Sequence, residues 1–190
     1  MDMIQLNCVG DICPVPVIKV KKALAEHTAL AVTVDNDIAV ENISKYLKAM
    51  DATFTTQADG AHFVITINRE GTTIPAPTQG VSGTAVVISS QYMGRGTDAL
   101  GAILIKGFIF AQTQLETLPG TIIFYNGGVQ HTLENAPSIA DLQYLQDNGV
   151  KILVCGTCLN YHGVKNAVGE VTDMYNIATI LQNATHIIKP

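Results

Sequence analysis

The stretch MIQLNCVGDICPVPVIKVKKALAE, residues 3–26, sets the fold of the first half of the chain. Met3–Cys8 reads as a short strand. From Pro14 to Glu26, Val17, Val20 and Leu24 recur at helical spacing, with Lys19, Lys22 and Glu26 on the other face. Proline favours the first helical position, where its missing N–H costs nothing, so the pattern predicts Cys13 as the N-cap. Outward from there, Leu30–Asp35 alternates as a strand. Asp35-Asn36-Asp37 offers a cap to a second helix, whose stripe is Ala39, Val40, Ile43, Tyr46, Leu47 and Met50. Ala52–Ala58 and His62–Asn68 are strands joined by the turn signal Asp59-Gly60. The order β-α-β-α-β-β predicts a two-layer α/β sandwich.

Residues 69–83, REGTTIPAPTQGVSG, have turn and linker composition and no hydrophobic period. The expected division is a first domain at 1–70, a linker at 71–83 and a second domain at 84–190. The second half alternates strand and helix, which implies a mostly parallel sheet with helices on both faces, an α/β fold again. Strands are expected at Ala85–Ser89, Thr121–Tyr125, Val150–Val154 and His186–Ile188. Helices are expected from Thr97 or Asp98 to about Glu116, at Ser138–Gln146 and near Met174–Gln182. Ser138 and Asp141 are spaced as a capping box. The first of these helices is apolar around most of its circumference and should be buried on more than one side, at an interface between copies of the chain.

Composition narrows the function classes. The 190 residues carry 11 Lys+Arg against 16 Asp+Glu, a net charge of −5, and 47% are hydrophobic. Such a chain buries a core, and its acidic balance excludes a general nucleic-acid binder. No charge-free apolar run reaches the roughly 18 residues of a membrane span. The first residues show no basic region followed by an apolar stretch, so a cytoplasmic protein with reduced cysteines is expected. Walker, GxSxG and HExxH motifs are absent, and Gly94-Arg95-Gly96 lacks the rest of a phosphate loop, so no cofactor is expected.

Thiol chemistry remains. As an N-cap, Cys13 would face free backbone N–H groups and the positive end of a helix dipole, both of which favour thiolate. Cys8 fits a core position. In the second half Cys155 ends a parallel strand, Cys158 follows in a CxxC, and ligands of such sheets bind beyond the carboxyl ends of the strands. Ser89-Ser90-Gln91 and Asn126-Gly127-Gly128 should open on the same edge, with the glycines letting backbone amides approach an anion. These readings leave sulfur transfer, disulfide exchange and zinc open. Zinc would take Cys155, Cys158 and His162, with His131 or Cys13 as fourth ligand. His27, His62 and His186 fit solvated positions.

The run Leu6–Val17, with Cys13-Pro14-Val15-Pro16 at its centre, resembles the TusA/SirA-like family of small sulfur carriers over about residues 1–70. Family members usually have Asp where Asn7 stands and a larger apolar residue near Asp11. Residues 84–190 are similar to the DsrE-like family, through Met93-Gly94, Leu118-Pro119, Phe124–Val129 and Cys155-Gly156-Thr157-Cys158. The fused order resembles the YedF-like family of sulfurtransferase-like selenium metabolism proteins. The resemblance implies that Cys13 accepts a persulfide sulfur and passes it on. In sulfur-relay relatives a cysteine ends this strand eight positions before a glycine, as Cys155 does before Gly163, so the carrier role falls to Cys155, with Cys158 an addition. It further implies a cysteine desulfurase-type donor of sulfur or selenium and an acceptor protein. The rival expectation is a zinc-stabilised or redox-sensing module that binds partner proteins.

Overall fold

Alternation along the central strand of the first unit explains that unit's layers. In Ala29–Val34 (β2), Leu30, Val32 and Val34 are fully buried on one face. The computed structural model describes residues 3–12, 14–68 and 80–190, and the chain divides into two compact units, Met1–Ala76 and Pro77–Pro190.

In the first unit, β2 lies between Ile4–Asn7 (β1), parallel to it, and His62–Asn68 (β4), antiparallel. Thr53–Asp59 (β3) closes the order β1-β2-β4-β3. The register lines up Ile4, Leu30, Ile67 and Phe54 across the sheet. Helices Val15–Glu26 (α1) and Asp37–Ala49 (α2) cover that face, with Val20, Leu24, Ile43 and Leu47 in the core. This is the expected two-layer sandwich. Two details of its helices follow from local chemistry. The N-cap of α2 is Asn36, whose side-chain oxygen accepts the Ala39 N–H at 2.8 Å. The N-cap of α1 is Pro14 rather than Cys13, and Pro16 occupies the second helical position. Both prolines sit where a missing N–H costs no helical hydrogen bond, so the motif alone does not choose between the two starts.

The second unit holds a five-stranded parallel sheet. Gly80–Val81 (β5), within the stretch expected to link the halves, pairs with Thr117–Leu118 (β7) in a small separate ribbon. The sheet strands are Thr84–Ile88 (β6), Thr121–Phe124 (β8), Lys151–Cys155 (β9), Glu170–Thr172 (β10) and His186–Ile188 (β11), in the order β10-β9-β8-β6-β11. One face carries Val86, Ile122, Phe124, Ile152 and Val154 in a core shared with Ile105 and Ile109 of Asp98–Gln112 (α3) and with Leu142 and Leu145 of Ile139–Asp147 (α4). The other face carries Ile123, Leu153 and Cys155 against Ile177 of Met174–Asn183 (α6). Burial on both faces explains why these strands are continuously apolar.

Three expectations change. Helix α3 ends at Gln112 and not near Glu116, and within the chain it buries one stripe, leaving Leu100, Ile103 and Leu104 about half exposed. The capping box at Ser138 does not form: Ser138 is the N-cap of α4, but its side chain makes no cap hydrogen bond. A seven-residue helix, Gly156–His162 (α5), and strand β10 follow β9 where none was expected. Among the described residues no helix is long and apolar enough to cross a membrane.

Replacing Asn36 by Ala should lower unfolding free energy by about 1 kcal/mol in chemical denaturation, with Asn36→Asp close to wild type, because the lost group is a cap acceptor.

Candidate functional site

The second unit's site is built where strands of the sheet run out. Cys155 is the last residue of β9 and the N-cap of α5, and it is 2% exposed. Cys158, one turn into α5, is half-buried and packs against both cores. After β8 the chain enters a 3-10 turn, Asn126–Thr132. At Gly128 a side chain would run into the carbonyl of Ile88, so only glycine lets the turn lie against the end of β6. Asn126 adopts φ 50°, a left-handed conformation that Asn tolerates well. Its backbone N–H then donates to Sγ of Cys158 at 3.0 Å.

The two thiols are hydrogen-bonded to each other. Burial raises the pKa of Cys158 above the ordinary thiol value. The bond to Cys155 and that sulfur's charge add to the rise, while the Asn126 N–H works the other way. Together these favour the neutral thiol of Cys158 over its thiolate. Of the expected edge, Asn126 meets the CxxC through its N–H, while Gly128 lies against the end of β6. Gly127 lies beside Gln91, with room for a side-chain carbon 3.5 Å from its backbone nitrogen. His131, in contrast, is buried in the same turn with Nε2 3.2 Å from the carbonyl of Ser90. Burial pushes its pKa down. No group of three or more His, Cys, Asp or Glu side chains able to hold a metal occurs among the described residues, so Cys155, Cys158 and His162 do not gather as a ligand set there.

In the first unit, Cys13 lies outside the described residues, but its surroundings along the chain are defined. The segment before it is tied down at four points. The Asn7 side-chain oxygen accepts the Val9 N–H at 3.0 Å, and Asp35 accepts the Gly10 N–H at 2.7 Å. Lys19, reaching back from α1, pairs with Asp11 at 2.6 Å and donates to the Asn7 carbonyl at 3.2 Å. Lys19 is thus engaged by a carboxylate, and Asp11 raises its pKa. An Asn at position 7 supplies the same acceptor oxygen as the Asp usual in the family it resembles. Ile12 and Pro14 line a mostly apolar groove of about 300 Å³ with Pro16, Ile38 and Asn42. Ile12 and Ile38 stand about two-thirds exposed at its rim.

Cys8 is a free, fully buried thiol of the core. Burial pushes its pKa from 9.0 to about 11; Lys19 opposes the rise, and the charge of Asp11 and a hydrogen bond to it assist. Sequence patterning did not reveal the roles of Asp11 and Asp35, because both act across loops rather than along one element.

Residues 4–69 match the family model of the sulfurtransferase TusA, and residues 99–190 match that of the DsrE/DsrF-like family. The chain is a TusA–DsrE fusion. Both families belong to sulfur-carrier and sulfurtransfer chemistry, which works in relays with donor and acceptor proteins. Among solved structures, the SirA-like protein of Desulfitobacterium hafniense is 35% identical, over 36% of this chain and 100% of that one, with a TM-score of 0.34. A comparison with curated proteins finds no match. The TusA domain of the fusion thus brings the Cys13 loop and its groove, and the DsrE domain brings the paired thiols.

Two outcomes follow from the thiol environments. Between pH 9 and 11, unfolded Cys8 loses its proton and folded Cys8 keeps it. The unfolded state then binds fewer protons, so stability falls as pH rises through this window, by about 2–3 kcal/mol. Denaturation of Cys8→Ala across the same window should lack that component. In the DsrE domain, Cys155→Ala removes two causes of the raised Cys158 pKa, so the pH midpoint of Cys158 alkylation should move down; an unchanged midpoint would mean that burial alone sets it.

Proposed function

We propose that the fusion carries sulfur or selenium as a cysteine persulfide or selenopersulfide and passes it on, acting as a sulfurtransferase in the cytoplasm. The observation that carries this reading is the hydrogen-bonded pair Cys155 and Cys158 at the carboxyl edge of the parallel sheet, with the Asn126 N–H on the more exposed sulfur. Cys13 takes the atom from a cysteine desulfurase-type donor. An acceptor thiolate attacks the outer sulfur of the Cys13 persulfide, the S–S bond breaks, and Cys13 leaves as thiolate. No oxidant is consumed.

In the DsrE domain Cys155 or Cys158 receives such a sulfur, and Asn126, Gly127 and Gly128 form the edge that holds the incoming group. With the persulfide on one thiol, the other attacks the inner sulfur. A Cys155–Cys158 disulfide forms, the outer atom departs as hydrosulfide or hydroselenide, and a thiol reductant restores the pair. The high pKa of Cys158 slows attack at neutral pH, because its thiolate is scarce. Selenium as cargo rests on the resemblance to the YedF-like family, since a persulfide site of this kind accommodates either atom. The exposed Leu100, Ile103 and Leu104 of α3 support association of copies of the chain.

The test is intact mass and peptide mapping after incubation with a cysteine desulfurase and cysteine. One added sulfur on the Cys13 peptide, lost in Cys13→Ala, is expected, with a second population on the CGTC peptide. Absence of added sulfur at either place, together with one bound zinc lost in Cys158→Ala, would replace this reading with a zinc-stabilised, protein-binding module.

A further inference from the structure

The two thiols of the DsrE domain do not meet solvent alike. Cys155 is buried at the end of β9, on the face of the sheet where Ile123, Leu153 and Ile177 form one closed cluster with it. Ile177 comes from α6, which lies over that face. Cys158 is a rim residue. It keeps accessible surface, packs against the clusters on both faces of the sheet, and is fully enclosed by neither. The N–H on its sulfur comes from Asn126, whose residue is exposed.

This asymmetry sorts the two thiols by what each can reach. Sulfur transfer is a displacement at sulfur, so the thiol that accepts from an outside donor must be met by the whole donor molecule. A persulfide cannot arrive at Cys155 without moving α6 off Ile123 and Leu153, whereas Cys158 is met from the surface. Attack within the pair asks for no such access. The two thiols are hydrogen-bonded, and residues three apart on a helix are neighbours, so Cys155 has only to react with the sulfur already beside it.

We propose that Cys158 is the entry thiol of the DsrE domain and Cys155 its resolving thiol, with the Asn126 N–H positioned to stabilise the anionic sulfur of Cys158. This order rests on the sulfur-carrier reading above and reverses the one that the family resemblance implies, in which Cys155 carries. Among the groups acting on Cys158, the Asn126 N–H is the one that favours its thiolate. That thiolate attacks the outer sulfur of the donor persulfide. A new S–S bond forms at Cys158, the donor's own S–S bond breaks, and the donor leaves as thiolate. Cys155, its proton lost to water, then attacks Sγ of Cys158. The bond to the outer atom breaks, hydrosulfide leaves, and the Cys155–Cys158 disulfide remains. A pair of small thiols reduces it and becomes a disulfide in turn. The first of them attacks at Cys158, the sulfur it can reach, and Cys155 leaves as thiolate.

The test uses the full chain carrying Cys13→Ala, so that added sulfur reports on the DsrE thiols, with glutathione persulfide as donor. Intact mass, mapping of the CGTC peptide and hydrosulfide release are followed together. The parent should release hydrosulfide above the protein-free rate and end as the Cys155–Cys158 disulfide. Adding Cys155→Ser should give one extra sulfur on the CGTC peptide that stays there, with hydrosulfide release down about tenfold, because the resolving thiolate is gone. Adding Cys158→Ser should slow the gain of sulfur by about tenfold, because the remaining thiol is enclosed. In the parent with no substitution at either thiol, N-ethylmaleimide should modify Cys158 before Cys155, a comparison that does not depend on how either variant folds. Sulfur gained as fast by Cys158→Ser as by Cys155→Ser, or alkylation of Cys155 first, overturns the order and leaves the carrier reading standing. No sulfur gained or released by any of the three proteins overturns both.

Discussion

One close approach organises the DsrE domain's working edge: the α-carbon of Gly128 against the carbonyl of Ile88. Strands β6 and β8 are neighbours in a parallel sheet, so their carboxyl ends emerge side by side. A chain leaving β8 with an ordinary side chain at this position would have to swing away from β6. Glycine lets it fold back as a 3-10 turn over the sheet edge instead. The turn's first N–H then lands on Cys158, and its last residues bury His131 against the loop after β6. The thiol contact and the buried imidazole are two ends of one short element held by a single steric allowance.

The sulfurs around the chain are distinguished by environment rather than by residue type. Cys8 hangs from the end of β1 into the core, where Asp11 accepts its hydrogen and desolvation keeps it neutral. Lys19 would favour a thiolate there, but the Asp11 carboxylate already occupies it at 2.6 Å. The same ion pair fixes the loop that leads to Cys13, so a group that suppresses one thiol also positions the segment bearing the other. In the DsrE domain, burial again raises a thiol pKa, yet Cys158 is only half-buried and has an N–H aimed at its sulfur. Burial protects the proton, and the donor stabilises the anion once the proton has gone.

How far the sequence could be read depends on the range of the interaction concerned. Periodicity identified α1, α2, the β3–β4 hairpin and the main strands of the parallel sheet, because burial imposes it residue by residue. The CxxC at a strand end and the glycines after β8 were legible for the same reason: both are consequences of parallel-strand geometry. Boundaries set by a single hydrogen bond were less so. The cap fell on Pro14, since two prolines two residues apart satisfy the same rule. Ser138 matched a capping pattern, but its buried hydroxyl makes no cap hydrogen bond. Helix α5 escaped because Gly156, Thr157 and Cys158 are weak helix formers, and its seven residues owe their shape to packing of Leu159 under the sheet edge.

The remaining blind spot is chemical. Lys19 reads as a residue of the exposed face of α1, beside Lys22 and Glu26. Reaching back past the first turn of α1, it pairs with Asp11 and bonds the Asn7 carbonyl. A charge so neutralised contributes little field at a distance, since the carboxylate beside it cancels most of the potential. Lys19 accordingly does different work from what its spacing suggests: it is a strut for the loop between β1 and α1.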